Sequence, residues 1–576
     1  MTTSTAAPRP DEQRRLVVVG GVAGGMSAAA RARRRDERAQ IVVLEQSPYV
    51  SYANCGLPYH LAGEIPERDS LLLHTPASLR AALDLDVRTG HRVVAVDRAA
   101  RTVTVEADGR RYDEPYDALL LAPGAVAVRP PVDGIDHPAV HALRTVPDLD
   151  ALRARVDAVL AAAGERRPRA VVVGAGFIGL EVVEALVARG LHVDVVELAD
   201  HVLPPLDTEL AALLADELRA HGVGVHLGVG VSAVVDAAGE GVTVHLADGR
   251  TLAADLVVVN VGVRPASDLA RDAGLELGPT GAIRVDDDQR TSDPAIWAVG
   301  DAVEVRHATT GHRGPVPLAG PANRQGRRAA DAMTRHRTTP QQPVLGTAVV
   351  RVFDLTAAVT GTNQETLRRT GTAHEVVHLH PQHHAGYFPG AQPLHLVASF
   401  APDGRLLGAQ AVGREGVDKR IDVLATALRA GMGADDLAEL ELAYAPPYGS
   451  AKDPVNMLGF VAQNVLDGSM PQWQARHLDD ALATTLVLDV RTAAERAVAH
   501  LPGSLHVPHT EVRERVAEVR AAAAGRPVSV HCASGVRSYL ATRVLRGSGV
   551  DARNLSGGWL TLQALRPDLG PDDLAP

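Results

Sequence analysis

The chain is poor in cysteine, lysine and aromatic residues. Only Cys55 and Cys532 are cysteines, and they lie far apart in the sequence, which excludes a disulfide framework and makes a reducing cytoplasm the expected location. The basic residues are nearly all arginine, since Lys419 and Lys452 are the only lysines. Aromatic residues make up 3% of the chain. A lysine or a tyrosine therefore stands out against the background of this sequence.

The sequence also lacks the features of nucleic-acid and membrane proteins. Its net charge is −11 and it has no basic tail, which argues against nucleic acid or an anionic membrane as a partner. No apolar run is long enough to span a bilayer, and residues 1–15 lack the apolar segment of a signal peptide. With 576 residues, 46% of them apolar, the chain is expected to form three to five soluble domains.

The first strong pattern is a βαβ unit near the start of the chain. The apolar strand LVVVG (16–20) leads into GGVAGG, then an Ala/Arg-rich helix, then the strand IVVLE, which ends in Glu45. Glycines at such a turn let the backbone approach a pyrophosphate, and a terminal acid accepts hydrogen bonds from ribose. Val22 stands where the second glycine of GxGxxG belongs, so an ordinary tight turn remains the alternative.

A more complete copy of the pattern follows at residues 170–197. AVVVGAGFIGLEVVEALVARGLHVDVVE has Gly174, Gly176 and Gly179 in register and Glu197 at the end of the second strand. The acid would repel a 2′-phosphate and bind a free ribose hydroxyl. We therefore expect NADH rather than NADPH at this second unit.

Three further segments complete a resemblance to a known family. They are DALLLAPGA (117–125), VVVNVGVRP (257–265) and TSDPAIWAVGDAV (291–303). Together with the two βαβ units, they make the chain similar to the pyridine nucleotide–disulfide oxidoreductases. The resemblance implies FAD at the first unit and NAD(P)H at the second. The residues it implies for FAD are Gly20, Ala23, Gly24, Gly25, Glu45, Ala122 and Asp301. Those it implies for the nicotinamide cofactor are Gly174, Gly176, Gly179, Glu197 and Gly262.

The rest of the chain predicts two more domains. Residues 340–465 alternate strand-like runs with a helix and resemble the family's α+β dimerisation domain, which implies a homodimer whose partner subunit completes the active site. The last segment resembles a rhodanese domain through Asp489, Arg491, Glu495, His500 and Gly503. The predicted fold class is therefore α/β, with two Rossmann-like domains, the α+β domain and an α/β rhodanese domain. The predicted boundaries are 14–146 and 267–335 for FAD binding, 147–266 for NAD binding, 340–465 for dimerisation and 470–576 for rhodanese.

Cys55 lies in SYANCGLPYHLAG, directly after the first βαβ unit. Glutathione-reductase-like relatives have a CxxxxC pair here, but this chain has His60 in the second position. Cys55 is therefore predicted to act alone, as a sulfenic acid, a persulfide or a mixed disulfide with a small thiol. A helix beginning after it would lower the pKa of the thiol.

The surroundings of Cys55 distinguish two single-cysteine groups. Peroxidases and water-forming oxidases have a histidine after the first glycines, where this chain has Ala23. The stretch S-x-x-N-C-G-L-P-Y instead resembles coenzyme A disulfide reductases, in which the serine and asparagine line the coenzyme A thiol. The resemblance implies coenzyme A contacts at Ser27, Arg31, Arg34, Ser51, Asn54 and Lys452. A solvated helix face is the interpretation for Arg33 and Arg35.

Tyrosines of the predicted dimerisation domain form a second part of this site. By the same resemblance, Tyr387 and Tyr444 would reach the cysteine of the partner subunit. A phenol near a departing thiolate can donate a proton to it. Tyr448 is a further candidate, with packing at the interface as its equal alternative. Histidines 374, 378, 380, 383 and 384 do not converge on one point, so we expect no metal site and interpret them as a polar interface stretch.

Cys532 opens the loop CASGVR, which leads into a helix. Backbone N–H groups of such a loop can hold a thiolate or the outer sulfur of a persulfide, and Arg537 would support the anion. Six residues is the loop length of sulfurtransferases; an inactive rhodanese fold is the alternative.

The sequence as a whole resembles the coenzyme A disulfide reductase–rhodanese fusions. The prediction is an FAD-dependent enzyme in which NADH reduces coenzyme A disulfide, coenzyme A persulfide or polysulfide through Cys55, while Cys532 carries sulfane sulfur. One alternative is an NADH oxidase or peroxidase with a Cys55 sulfenic acid. Another is a sulfur carrier or redox sensor with vestigial reductase activity.

Overall fold

The computed structural model describes residues 13–566, except 238 and 240. The chain divides into two compact units. The first contains the described residues up to Val196 and those from Gly230 to Gly346. The second contains Glu197–Val229 and the described residues from Thr347 onward.

A five-stranded parallel sheet forms the first nucleotide-binding fold of the first unit. Its strands are continuous apolar runs because both faces are buried: Leu16 and Val18 enter one core, and Val17 and Val19 enter the other. In spatial order the strands are Ile296–Ala298, Ala118–Leu121, Arg15–Val19, Gln40–Glu45 and Asp86–Thr89.

The same unit contains a second parallel sheet and smaller antiparallel ones. Four strands of the second sheet belong to this unit and are, in order, His192–Val196, Arg169–Val173, Leu256–Val259 and Val140–His141. Two three-stranded antiparallel sheets are Arg92–Asp97, Thr102–Ala107 and Arg110–Pro115, and Val231–Asp236, Val242–Leu246 and Thr251–Ala254. Two short pairs are Ala125–Ala127 with Val263–Pro265, and Val305–Arg306 with Arg313–Gly314.

Helices surround these sheets. They are Ala23–Arg35, Leu57–Ala62, Pro76–Leu83, Val146–Ala162, Phe177–Ala188, Asp268–Asp272 and Ala319–Met333, with short 3₁₀ turns at Asn54–Gly56, Arg68–Leu71 and Gly300–Ala302. The first and the last of these helices pack closely against each other. Gly326 has no room for a side chain, because the carbonyl of Gly24 occupies that position. This contact fixes one face of the helix that follows the first glycine turn.

The second unit begins its long segment with an antiparallel sheet. Its strands are, in order, Ala348–Val352, Leu355–Gly361, Leu406–Gly413, Leu394–Phe400 and Glu375–Leu379. The associated helices are Gln364–Arg369, Val417–Ala430, Ala434–Glu439 and Pro454–Leu466, and the helix Thr208–Ala220 and the strand Gly224–His226 belong to the same unit.

A parallel sheet completes the second unit, with the strand order Gln472–Trp473, Ala552–Leu555, Val528–His531, Leu486–Asp489 and Leu505–His506. Its helices are Leu478–Thr484, Ala493–Val498, Val516–Ala523, Val536–Gly547 and Gly558–Leu565, with a 3₁₀ turn at Ala475–His477. The predicted α/β fold class is confirmed. The domain boundaries within the two units stay predictions.

Candidate functional site

The first glycine turn forms a tight connection between strand and helix. Gly20 has φ +99°, and a side chain there would collide with the Ala122 carbonyl. Gly25 packs in the same way against the carbonyl of Gly20, while Ala23 begins the helix. Glu45, at the end of the next strand, is buried and accepts hydrogen bonds from the backbone N–H groups of Gly21 (2.7 Å) and Ser47 (2.8 Å). These residues fit the adenosine half of a dinucleotide, although Val22 occupies the middle position of the motif.

The second turn has a glycine at each of the three positions of the dinucleotide-binding motif, and each glycine has a structural reason. Gly174 has φ +98°, and a side chain there would lie 2.5 Å from the Asn260 carbonyl. Gly179 packs directly on the Gly174 carbonyl. Gly176, just before the helix Phe177–Ala188, faces open space with no atom within 4 Å of an added Cβ, which leaves room for a pyrophosphate at the helix N-terminus.

Asp301 lies on the 3₁₀ turn Gly300–Ala302, beside the first sheet. Its Oδ2 is 3.1 Å from Nη2 of Arg144, whose Nε donates to the Ala125 carbonyl at 2.7 Å. Gly262, with φ +105°, immediately precedes the strand Val263–Pro265, which pairs with Ala125–Ala127. The ion pair with Arg144 thus holds Asp301 in place beside the first sheet.

Cys55 lies on the 3₁₀ turn Asn54–Gly56, just before the helix Leu57–Ala62, and is exposed. Its Sγ is 3.8 Å from Oδ1 of Asn54. The predicted helix is confirmed, but the expected direction of the pKa shift is wrong. Partial desolvation raises the pKa of the Cys55 thiol, and the negative charges of Glu181 and Asp301 raise it further.

Neighbours of Cys55 fix its turn to other parts of the first unit. His60, in the position of the family's second cysteine, is buried and its Nδ1 lies 2.7 Å from the Ile65 carbonyl, while its Nε2 contacts Arg153. The Tyr59 hydroxyl donates to Glu181 at 3.1 Å. Ser51 has φ +49°, an unusual backbone conformation for serine. Glu181 could not be predicted from the sequence, because nothing local indicates that it meets the cysteine segment.

Two residues of the helix Ala23–Arg35 that were predicted to contact coenzyme A have partners within the first unit, and their role stays a prediction. Arg31 forms a bidentate ion pair with Asp331 (2.9 and 3.2 Å), and Ser27 contacts Asn323. Arg34 is exposed. The solvated interpretation is wrong for Arg33, whereas the side chain of Arg35 is 33% exposed. Arg35 shares Asp331 at 2.7 Å, and Arg33 is 4% exposed. The guanidinium of Arg33 donates to the carbonyls of Leu83, Asp84 and Glu37.

Two predicted tyrosines meet in the second unit. The hydroxyls of Tyr387 and Tyr444 are 3.0 Å apart, and the two residues are 77% and 48% exposed. The hydrogen bond to Tyr444 raises the pKa of Tyr387. Tyr448 and Lys452 are also exposed. This surface can donate protons to a ligand that reaches it.

Cys532 is fully buried at the end of the strand Val528–His531, and its loop turns toward it. The N–H of Gly535 and the hydroxyl of Ser538 each donate to Sγ at 3.2 Å. Arg537 donates to both carboxylate oxygens of Glu495 (2.7 and 2.6 Å), and this ion pair lowers the pKa of Glu495 to about 2. The pKa of Arg537 is raised by Glu495 and then by Cys532. These contacts can hold a sulfur anion.

Part of the histidine stretch is buried within the chain, and its interpretation as a polar interface stays a prediction. His378 and His384 are buried, and His380 lies 2.8 Å from His395 between their Nδ1 atoms. Burial lowers the pKa of His380 to about 3. Among the described residues, one group brings three potential metal ligands together, Glu217, His221 and Asp354, and Arg414 forms ion pairs with both of its carboxylates.

The described residues form no helix long and apolar enough to cross a membrane. Residues 14–326 match the pyridine nucleotide-disulphide oxidoreductase family, residues 347–454 match its dimerisation domain, and residues 470–564 match the rhodanese-like domain.

Three known proteins are similar over most of the chain. Coenzyme A disulfide reductase of Staphylococcus haemolyticus (strain JCSC1435) is 35% identical over 75% of this chain and 95% of its own. Reduced CoADR-RHD of Bacillus anthracis is 41% identical, with a TM-score of 0.93, over 97% of this chain and 99% of its own. A NAD-dependent persulfide reductase from A. fulgidus is 37% identical, with a TM-score of 0.88, over 95% of this chain and 99% of its own.

The domain matches, the two glycine turns and the thiol at the first sheet agree with one another. The chain belongs to the pyridine nucleotide-disulphide oxidoreductase family, as a flavin-dependent enzyme with a rhodanese-like domain in its C-terminal region.

Proposed function

We propose that this enzyme uses NADH to reduce the sulfur–sulfur bond of coenzyme A disulfide, coenzyme A persulfide or polysulfide. The observation that carries the proposal is the pair of differently placed thiols. Cys55 is exposed beside the flavin-binding fold, and Cys532 is buried in a loop that donates hydrogen bonds to its sulfur. Two of the similar proteins are named as a coenzyme A disulfide reductase and a persulfide reductase, which supports this substrate class.

The cofactors would be held by the two glycine turns. Gly20, Gly25, Glu45 and Asp301 fit FAD, and Gly176 with the helix that follows it fits the NADH pyrophosphate. Glu197, which directly follows the strand His192–Val196, favours NADH over NADPH. Bound FAD would accept a hydride from NADH and supply two electrons to a disulfide.

Cys55 would exchange with the substrate. Its thiolate attacks one sulfur of coenzyme A disulfide, forming a Cys55–S–S–CoA bond and releasing the other coenzyme A as a thiolate. Two electrons and one proton then return Cys55 to the thiolate and release the second coenzyme A as a thiol. With a coenzyme A persulfide, the same attack on the inner sulfur releases hydrosulfide. The side chains of Ser51, Asn54 and Arg34 are the proposed contacts for coenzyme A.

Tyr387 and Tyr444 of the partner subunit would protonate the departing sulfur. Their hydroxyls form a hydrogen-bonded pair, so a proton lost from one is replaced through the other. Lys452, which is also exposed, would contact a coenzyme A phosphate. This role requires the homodimer that the dimerisation domain indicates.

Cys532 would carry the sulfane sulfur. Its thiolate attacks the terminal sulfur of polysulfide, which breaks that sulfur–sulfur bond, releases a polysulfide one sulfur shorter and gives Cys532–S–SH. The Gly535 N–H and Ser538 hydroxyl can stabilise this persulfide as an anion. Coenzyme A thiolate then attacks the outer sulfur, so that coenzyme A persulfide forms and Cys532 returns to the thiolate. A site that cycles through thiols in this way suits a reducing compartment, and the cytoplasm is the proposed location.

Substitution of each thiol tests the proposal. Cys55→Ser should abolish NADH oxidation with coenzyme A disulfide, because no other thiol lies on the exposed turn. Cys532→Ser should impair polysulfide turnover and spare coenzyme A disulfide. Equal loss of both activities in Cys532→Ser would contradict the separate roles proposed for the two cysteines. Purified enzyme is assayed for NADH oxidation with each sulfur substrate and with oxygen and peroxide; faster turnover of the last two would instead indicate an oxidase or peroxidase.

A further inference from the structure

A buried polar cluster in the second unit connects its antiparallel sheet to the rhodanese-like domain. At its centre is His378, on the strand Glu375–Leu379 and 5% exposed. Its Nε2 donates to Oε1 of Glu209 at 2.7 Å. Its Nδ1 lies 2.8 Å from the hydroxyl of Ser556, and its backbone N–H donates to the same hydroxyl at 3.3 Å.

Glu209 is itself held firmly. The side-chain amide of Gln364 donates to Oε1 of Glu209 (2.7 Å) and to Oδ2 of Asp207 (3.1 Å), and Gln410 donates to Asp207 at 2.6 Å. Although burial opposes its ionisation, the hydrogen bond from His378 lowers the pKa of Glu209. Burial and the charge of Glu209 raise the pKa of Asp207 to about 6. The imidazole therefore meets a fixed acceptor, as buried polar groups require.

On its other side, Ser556 begins the segment that supports the Cys532 loop. The N–H groups of Trp559 and Leu560 donate to the carbonyls of Cys532 (2.8 Å) and Ala533 (3.0 Å). A side chain on Gly558 would lie 2.6 Å from the Cys532 carbonyl and 2.7 Å from the N–H of Gly535.

Gly557 closes the opposite side of this segment. A side chain there would lie 2.8 Å from Cβ of His378. The segment 556–560 is thus wedged between the histidine and the loop, with no space on either side. We therefore expect a shift at His378 to be passed to the loop, and to the N–H of Gly535 that contacts the sulfur of Cys532.

We propose that His378 is a positioning residue for sulfur transfer: it fixes the geometry of the Cys532 loop through Ser556, from outside the rhodanese-like domain. The inference rests on the proposed function of Cys532. It makes sulfur transfer depend on a contact with the antiparallel sheet, rather than on a domain that works alone.

Alkylation of Cys532 tests the positioning without relying on activity. In a Cys55→Ser background the chain has a single thiol, so uptake of iodoacetamide by the full-length enzyme reports on the loop alone. His378→Gln and Ser556→Ala should each change the rate constant by about fivefold, the effect of one lost hydrogen bond. Because both act through one contact, the double variant should show the same rate as either single variant.

A matched control separates positioning from general destabilisation. Asn456→Ala removes another buried polar side chain of the same unit, whose amide donates to the carbonyls of Leu437 and Leu440, far along the chain from the loop. It should lower the melting temperature and leave the alkylation rate of Cys532 unchanged. Three outcomes would overturn the inference. The alkylation rate could change equally in this control, it could stay unchanged in the His378 variant, or the effects of the two substitutions could multiply in the double variant.

Sulfur transfer from thiosulfate to cyanide provides the catalytic readout. In the enzyme that retains both cysteines, His378→Gln should lower kcat about fivefold with an unchanged KM for thiosulfate, while NADH oxidation with coenzyme A disulfide is retained. Retained kcat would overturn the inference. If the unsubstituted enzyme transfers sulfur neither from thiosulfate nor from polysulfide, the proposed role of Cys532 fails, and the alkylation rates still decide whether His378 positions the loop.

Discussion

At the scale of single residues, the environment of Cys55 decides how readily its thiolate forms. The thiol stands at the start of a helix, which favours the anion, but partial desolvation and the carboxylates of Glu181 and Asp301 oppose it. The raised pKa means that the free thiol gains reactivity only as the pH rises above the range usual for cysteine. Electrostatic control of this thiol is therefore exerted from Glu181, on another helix of the same unit.

Replacement of Glu181 tests this control. In a Cys532→Ser background, Glu181→Gln should speed alkylation of Cys55 at pH 7 by about two- to fivefold, because loss of a negative charge lowers the pKa of the thiol. Tyr59→Phe is the control, since it removes the hydrogen bond to Glu181 and leaves the charge in place. The alkylation rate is measured against pH in both proteins. If the profiles of Glu181→Gln and the parent are identical, the carboxylate does not act on Cys55.

At the scale of structural elements, the second glycine turn separates a binding role from a packing role. Gly176→Ala should raise the KM for NADH about tenfold with little change in melting temperature, because the new methyl group enters the open space proposed for the pyrophosphate. Gly179→Ala should instead lower stability by about 1–3 kcal/mol, since its methyl group collides with the Gly174 carbonyl. Thermal unfolding and NADH kinetics distinguish the two. A similar effect of both variants on stability would contradict the assignment.

Two neighbouring arginines of the helix Ala23–Arg35 provide a second pair of variants that distinguishes packing from binding. Arg33→Ala should lower the free energy of unfolding by about 2–4 kcal/mol, because it removes a buried side chain that donates to three carbonyls. Arg34→Ala, on the exposed side, should change stability by less than about 0.5 kcal/mol and raise the KM for coenzyme A disulfide. Denaturant unfolding and reductase kinetics measure both. An unchanged KM in Arg34→Ala would exclude its role in binding coenzyme A.

At the scale of the whole molecule, the proposed active site combines residues of two subunits. Mixed dimers test this. One chain bears Cys55→Ser, and the other bears Tyr387→Phe with Tyr444→Phe. If the tyrosines act on the partner's cysteine, each mixed dimer contains one intact site and should recover about half of the activity per dimer, while both parent homodimers stay impaired. Differently tagged chains, refolded together and purified by both tags, provide the material. If the mixed dimers are no more active than the tyrosine-substituted homodimer, the tyrosines act on the cysteine of their own chain.

The sequence by itself determined the features that depend on local backbone geometry. Gly20, Gly174 and Gly179 are required by positive φ or by direct contact with a carbonyl, so the two nucleotide-binding turns and the α/β fold class could be predicted from their spacing. The loop that begins at Cys532 is likewise a short, continuous segment. Its donors to the sulfur, Gly535 and Ser538, follow within six residues.

Only the tertiary structure decided the contacts between residues far apart in the sequence. Arg31 and Arg33 follow one another closely on an arginine-rich helix, yet one pairs with Asp331 and the other is buried against the carbonyls of Leu83 and Asp84. The opposition of Glu181 to the Cys55 thiolate, and the link from Glu209 through His378 to Ser556, also join distant segments. Periodicity and motif spacing report on neighbours along the chain, whereas burial and charge at these sites depend on the packing of distant elements.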